Sequence, residues 1–349
     1  MKVSTYNKYL SHKIATSKFL SILCFPLYII SLLVPKNKKI KLFGSMNGYQ
    51  VVDNAKYMFI NEYKKGYYFI TKNKQILDTP IFSDVYPVFC YSLKGLLLQL
   101  IAKEVYYTHS VFDFFSPLIM GADVIALWHG VPGKKINTAL LEQKKYLKKL
   151  PFFLYTYIFP YKYYAYCNYV YCPNENLLDI YKECFQIGKP QILIHKQPRN
   201  LYAKKIDKQE RLILYAPTYR KDQKLINVMK SLDFFEEQTK EFICSSGIKI
   251  VVRPHPIDVQ ELEKEELPEY LVIDKSKDIY ETINKYELVI TDFSSLFYDA
   301  QEQEIDVRIL QNDLDLYNDS NGLFTQFYDY IKANSKCSLV EILKDIIEG

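Results

Sequence analysis

Short apolar runs alternate with helix-length stretches along this chain, in two series. KIKLFGS (39–45) reads as a strand, a helix follows near 53–64, and YYFITKN is the next strand. DVYPVF (84–89) leads to a helix near 91–102, EVYYTH (104–109) is a strand again, and DVIALW (123–128) is a buried strand that ends at HGVPGKK. The second series starts at RLILYAPTYR (211–220), runs through IKIVVRPHP (248–256) and LVITD (288–292), and reaches VRILQ (307–311). Strands that alternate with helices build a parallel sheet covered on both faces. The expected fold class is α/β, with two Rossmann-like domains facing each other across a cleft and joined near residue 200. A chain of 349 residues is long enough for two such cores.

Charge singles out one end. Residues 1–41 hold eight lysines and no acid, which leaves 37 basic against 40 acidic residues in the rest. A basic character confined to one end excludes a general nucleic-acid binder and points to an anionic surface. Between Lys18 and KNKKIK (36–41) lies FLSILCFPLYIISLLV (19–34), uncharged and interrupted by Pro26. It is shorter than the ~20 residues a bilayer span needs, and no small-residue cleavage site precedes Pro35. A monotopic anchor is expected, apolar residues in the interface and lysines on anionic headgroups. A helix on the protein's own surface and a true span are the alternatives. The organisation is thus a basic, apolar membrane-associating segment at 1–38, an N-terminal domain at 39–200 and a C-terminal domain at 201–349.

Seven cysteines without CxxC pairing or a completing histidine fit small buried residues in a reducing compartment, and no metal site is expected. The aromatic stretch FFLYTYIFPYKYYAYCNYVYC (152–172) reads as core and interface packing. Nucleic-acid platforms interleave basic residues among the aromatics, and only Lys162 is basic here.

In open α/β sheets ligands sit beyond the carboxyl ends of strands, and four marked stretches fall there. In LWHGVPGKK, His129 follows a buried strand in a loop shaped by Gly130, Pro132 and Gly133, where it can take a proton near neutral pH; Lys134 and Lys135 add positive charge. In VVRPHP, Arg253 and His255 flank a proline, and alternate residues of an extended segment point the same way, so both are expected at one pocket. Arginine suits bidentate phosphate contact. YAPTYRKD places Thr218 and Arg220 at a strand end, with Asp222 beyond. TDFSSLFYDA (291–300) sets Asp292, Ser294 and Ser295 where a strand turns into a helix. Free N–H groups at a helix start and two hydroxyls can hold a phosphate, whereas capping needs one such residue.

Taken in order, WHG-x-P-x-KK, PRN, APTYR, RPHP and TDFSS-x-x-x-D resemble the CDP-glycerol glycerophosphotransferase family of teichoic-acid primases and polymerases and their capsule relatives. The match covers roughly residues 120–300. The resemblance implies a GT-B fold, an N-terminal acceptor-side domain, a C-terminal donor-binding domain and a peripheral position on the cytoplasmic face of the membrane. His129 and His255 match the two essential histidines. Arg253, Ser294, Ser295, Thr218, Arg220 and Asp292 match donor-binding positions, and Lys134, Lys135 and Arg199 are candidates for acceptor or phosphate contact. Departures are Val131 and Gly133 after the HG pair, Lys196 before PRN, Leu201 after it, and Tyr219 where tryptophan is usual.

The implied reaction moves glycerol phosphate, or a related alditol phosphate, from a CDP-linked donor to a hydroxyl of a lipid-linked or polysaccharide acceptor, releasing CMP. Positioning and charge stabilisation carry such transfers. His129 is the favoured base and His255 the partner of phosphate or leaving group, with the reverse assignment open. No cofactor is required, and a loosely held Mg²⁺ with the diphosphate stays open. Two other readings survive: a GT-B nucleotide-sugar glycosyltransferase, since fold does not name a reaction, and a non-catalytic membrane-bound scaffold.

Overall fold

A computed structural model describes residues 17–143, 150–204, 206, 211–221, 223–255, 257–276 and 278–348. Residues 1–16 of the expected anchor segment and Asp222 lie outside the described residues. The chain forms two compact units: one runs to His129 and resumes at Ile136–Tyr202, and the other joins Gly130–Lys135 to the chain from Ala203 onward. HGVPGKK, expected whole within the first domain, is divided between the units after His129.

The first unit contains β1 (Asn37–Gly44), β2 (Tyr67–Thr71), β3 (Val88–Phe89), β4 (Ala102–Tyr107), β5 (Asp123–Ala126), β6 (Tyr169–Cys172) and β7 (Gln191–Ile194). They pair in parallel in the order β3-β2-β1-β4-β5-β6-β7. The second unit contains β8 (Leu212–Ala216), β9 (Lys249–Val252), β10 (Leu271–Ile273), β11 (Leu288–Thr291), β12 (Asp306–Leu310) and β13 (Ser335–Lys336). Its order, β10-β9-β8-β11-β12-β13, is again parallel throughout. Both sheets reverse direction of growth beside their first strand, at β1/β4 and β8/β11. Such a switch point opens a crevice at the carboxyl ends of the strands.

Alternate strand residues feed opposite faces. In the second unit Ile213, Tyr215, Ile250, Val252, Leu288 and Ile290 join one core, while Leu214, Val251 and Val289 join the other. Burial of such side chains contributes about 1.5–3 kcal/mol each, so these strands carry apolar residues on both faces. The first unit packs Phe43, Phe59, Phe69, Tyr106 and Ile125 on one face. Within the aromatic stretch, Tyr161 and Tyr163 are buried, but Leu154 and Tyr157 are exposed and Tyr169–Cys172 is β6. Five cysteines are buried as expected; Cys244 and Cys337 are exposed.

The apolar segment forms a helix over Lys18–Leu33 that contains Pro26. Its amphipathicity is inverted. Ser21, Cys24 and Ser31, on one helical stripe, are buried. The Ser31 hydroxyl donates to the Leu118 carbonyl (2.7 Å) and accepts from Gly121 N–H (3.0 Å), and Tyr161 donates to the Ser21 carbonyl (2.6 Å). Phe19, Ile22, Leu23 and Leu33 are 63–75 % exposed. Among the described residues no helix is long and apolar enough to cross a membrane.

Candidate functional site

In the first unit the ends of β1, β4 and β5 bring a histidine pair together. Gly44 leads into Met46, Asn47 and Gly48, all at positive φ. Gly48 is required: at φ +86° a Cβ would meet the Asp113 carbonyl at 2.8 Å and the buried Lys72 stem at 2.9 Å. β4 is followed by Thr108-His109, and two residues past β5 come Trp128-His129, with Trp128 at φ 57°. His109 and His129 stack with ring centres 4.7 Å apart and planes 3° from parallel. The strained Trp128 is fixed by Asn54, fully buried, whose Nδ2 donates to the Trp128 carbonyl (2.6 Å) and to Gln197 Oε1 (3.0 Å). Asn54 Oδ1 in turn accepts from Arg199 N–H (3.0 Å).

Hydrogen bonds set the state of each ring. His129 Nδ1 lies 3.3 Å from the Thr108 carbonyl. A carbonyl only accepts, so Nδ1 carries the proton and Nε2 is an open lone pair. His109 Nδ1 accepts from Met46 N–H (3.1 Å), so its proton sits on Nε2. Loss of solvation pushes the His129 imidazolium down to about 3, His109 pushes the same way, and Asp53 pulls against both. His129 as a residue is nonetheless exposed, and water at the ring weakens that push. Asp53 loses solvation, which raises its carboxyl, but Arg199 and the two histidines outweigh this and hold it below its usual value.

Arg199 is only 1 % exposed and pairs with Asp53 at 2.7 Å. Expected as a phosphate or acceptor contact, it is placed as a buried brace beneath the histidines. Lys134 is exposed and Lys135 partly so. Their loop is strapped within the second unit, Lys135 N–H to the Gly322 carbonyl (2.7 Å) and Phe324 N–H to the Gly133 carbonyl (3.0 Å). A Cβ on Gly133 would lie 2.6 Å from the Phe327 ring, which accounts for glycine at a position where the resemblance leads one to expect leucine.

At the second unit's switch point, Asp292 at the end of β11 accepts from Thr218 N–H (2.8 Å), Thr218 Oγ1 (2.6 Å), Phe293 N–H (2.5 Å) and Arg220 (2.5 Å). Arg220 also grips Asp313 through two bonds of 2.9 Å, donates to the Thr218 carbonyl (2.6 Å), and lies over the stacked rings of Phe293 and Tyr317. Burial alone disfavours its charge; the two aspartates prevail and raise its pKa. Thr218, Arg220 and Asp292, expected to contact the donor, thus spend their polar groups on one another and on Asp313.

Ser294 and Ser295 are partly exposed beside this brace. Ser295 occupies the cap position of the helix Leu296–Glu302 without a side-chain capping bond, and Ser294 Oγ accepts from Leu296 N–H at 3.3 Å. Arg253 pairs with Asp274 (2.5 Å) and Ser276 Oγ (2.9 Å). His255 is exposed, beside the Tyr219 ring at 5.0 Å. The chain turns them to different partners because residues 253–255 leave the strand, so the strict alternation expected of VVRPHP ends at Val252. His255 Nδ1 accepts from Ile257 N–H (3.3 Å), which puts its proton on Nε2.

Sequence reasoning missed His109, Asp53, Asn54, Asp274 and Asp313. His109 carried a readable signal: it closes a strand run as His129 does. The others act only through contacts distant in sequence. Among the described residues, no three His, Cys, Asp or Glu side chains are grouped to hold a metal ion.

A family model described as CDP-Glycerol:Poly(glycerophosphate) glycerophosphotransferase matches residues 26–348. The teichoic acid poly(glycerol phosphate) polymerase of Bacillus spizizenii is 26% identical over 352 residues, covering 89% of this chain and 82% of that protein. The teichoic acid glycerol-phosphate transferase of Staphylococcus aureus is 25% identical over 356 residues, covering 89% and 85%. Among solved structures, the wall teichoic acid polymerase TagF superposes with a TM-score of 0.62 at 16% identity, over 98% of this chain and 88% of that one. That likeness concerns the fold.

Proposed function

The chain belongs to the CDP-glycerol:poly(glycerophosphate) glycerophosphotransferase family, and from that premise we propose that it transfers glycerol phosphate from CDP-glycerol to a hydroxyl of a teichoic-acid-like acceptor and releases CMP. The acceptor oxygen forms a bond to the β-phosphorus, the bond to the bridging oxygen breaks, and CMP leaves. The hydroxyl proton passes to His129 Nε2. The observation that carries this assignment is the His129 Nδ1 bond to the Thr108 carbonyl, which leaves Nε2 as the acceptor. His255 has the complementary tautomer, with Nε2–H available to a phosphate oxygen or to the departing CMP. Ser294 and Ser295 supply hydroxyl and N–H donors at a helix start, and Arg253 supplies charge. Thr218, Arg220 and Asp292 hold the two loops that present these groups, and Lys134 and Lys135 offer charge to an anionic acceptor. The donor diphosphate brings any divalent cation with it.

The inverted N-terminal helix supports a peripheral, monotopic position on the cytoplasmic face of the membrane. Sixteen residues make about 24 Å, short of a hydrocarbon core of about 30 Å. Its exposed Phe19, Ile22, Leu23 and Leu33 suit the headgroup boundary, with the exposed Lys38 and Lys39 on anionic lipid.

The test is CMP release by purified protein given CDP-glycerol, CDP-ribitol or a UDP-sugar with a lipid-linked acceptor. CMP from CDP-glycerol alone is expected. Release from CDP-ribitol alone would change the alditol, and consumption of the UDP-sugar alone would replace the reaction.

A further inference from the structure

His109 belongs to no stretch that the family resemblance marks, yet its ring is the one stacked flat on His129. We propose that His109 is a positioning residue of the transfer: its imidazole holds the His129 ring in plane and in the neutral tautomer that leaves Nε2 open. This rests on the reading of His129 as base.

Three features of the geometry support it. First, the His109 ring is itself oriented, because Met46 N–H donates to its Nδ1 (3.1 Å) from the left-handed loop that Gly48 permits. Second, the backbone that carries it is pinned. Asp113 Oδ2 accepts from Thr108 N–H (3.2 Å) and His109 N–H (3.4 Å), and Thr108 Oγ1 accepts from Ala55 N–H (2.9 Å). The same residue 108 offers the carbonyl that sets the His129 tautomer, so one dipeptide controls both the plane and the proton of the base. Third, two imidazoles 4.7 Å apart cannot both carry charge cheaply, because like charges so close disfavour each other. A proton on either ring raises the cost of a second. The other charged groups facing His129 are Asp53, from the helix Asp53–Glu62, and Arg199, from the turn Pro198–Leu201. They pair with each other; Asp53 acts against His109 and Arg199 with it, and His109 has the largest effect on His129 of these charged neighbours. A phenylalanine at 109 would supply the stack but neither the Met46 anchor nor the repulsion.

The experiment compares wild type with His109→Phe, which keeps a ring, and His109→Asn, which keeps an acceptor for Met46 N–H. Histidine side chains are followed by NMR through a pH titration of the full-length protein, and kcat/KM and the donor KM are measured across the same range. In both variants the His129 titration is expected to move upward. The acid limb of kcat/KM should move with it, while the donor KM stays near wild type. A merely structural residue would lower kcat without moving either curve. A His129 titration that stays in place in both variants overturns the role of His109. Failure of the base assignment is seen separately, as turnover surviving in His129→Ala.

Discussion

Replacing Arg220 by lysine separates a brace from a donor contact. The guanidinium makes four bonds of 2.5–2.9 Å, to Asp292, to the Thr218 carbonyl and twice to Asp313. Lysine keeps the charge but presents one ammonium and no planar fork. It can serve one aspartate, and the other loses its partner while only 2 % (Asp292) or 15 % (Asp313) exposed. Breaking a buried pair costs about 3–5 kcal/mol. Because Asp292 retains Thr218 and Phe293 as donors and Asp313 is partly wetted, the lower end applies, about 3 kcal/mol. For a unit of this size that is about 6–12 °C of melting temperature. Urea and thermal unfolding followed by circular dichroism measure it, beside CDP-glycerol affinity by calorimetry at a temperature where the variant is folded. Lowered stability with donor affinity within about threefold of wild type is expected, a change of under ~1 kcal/mol. Unchanged stability with affinity lost tenfold or more would refute the reasoning and make Arg220 a direct donor contact.

Gly133→Ala forces the Phe327 ring aside and should cost about 1–3 kcal/mol in the wild type but little when made in a Phe327→Ala background; equal losses in the two backgrounds would disprove the clash. Acid stability follows from His129, whose folded-state value of about 3 lies below its ordinary 6.5. The unfolded chain therefore binds the extra proton, and stability falls as the pH drops from about 6.5 toward 3. The exposure of His129 keeps that slope shallow, and His129→Gln should flatten it in pH-dependent urea melts. Changing Ile22 and Leu23 to serine on the exposed face of the N-terminal helix should sharply reduce sedimentation with anionic vesicles while leaving CMP release with a soluble acceptor intact. Unaltered sedimentation would remove that helix as the attachment surface.

The fold was largely legible because its central strands are buried on both faces and read as continuous apolar runs. KIKLF, EVYY, DVIA, LILYA and LVIT all became strands within a residue or two. The edges were harder: β3 and β13 span two residues each, too few for any period. β6 was hidden in an aromatic stretch that supplies a helix, buried tyrosines and a strand in turn. In the first unit, His129 was legible because a strand end presents it. Its control by His109, Asn54 and the Asp53–Arg199 pair depends on residues up to 146 positions apart. In the second unit the marked residues Thr218, Arg220 and Asp292 do converge, but composition cannot tell a side chain that meets a ligand from one that meets its neighbours. Only the saturation of Asp292 by protein donors separates the two.

The most direct test of the central claim compares His129→Ala and His255→Ala at saturating CDP-glycerol and acceptor, with donor affinity measured on the same preparations. If a neutral His129 takes the acceptor's proton, His129→Ala binds CDP-glycerol normally and releases CMP about 10²–10⁴ times more slowly, whereas His255→Ala is impaired with the donor as well. CMP release by His129→Ala at the wild-type rate would contradict the account.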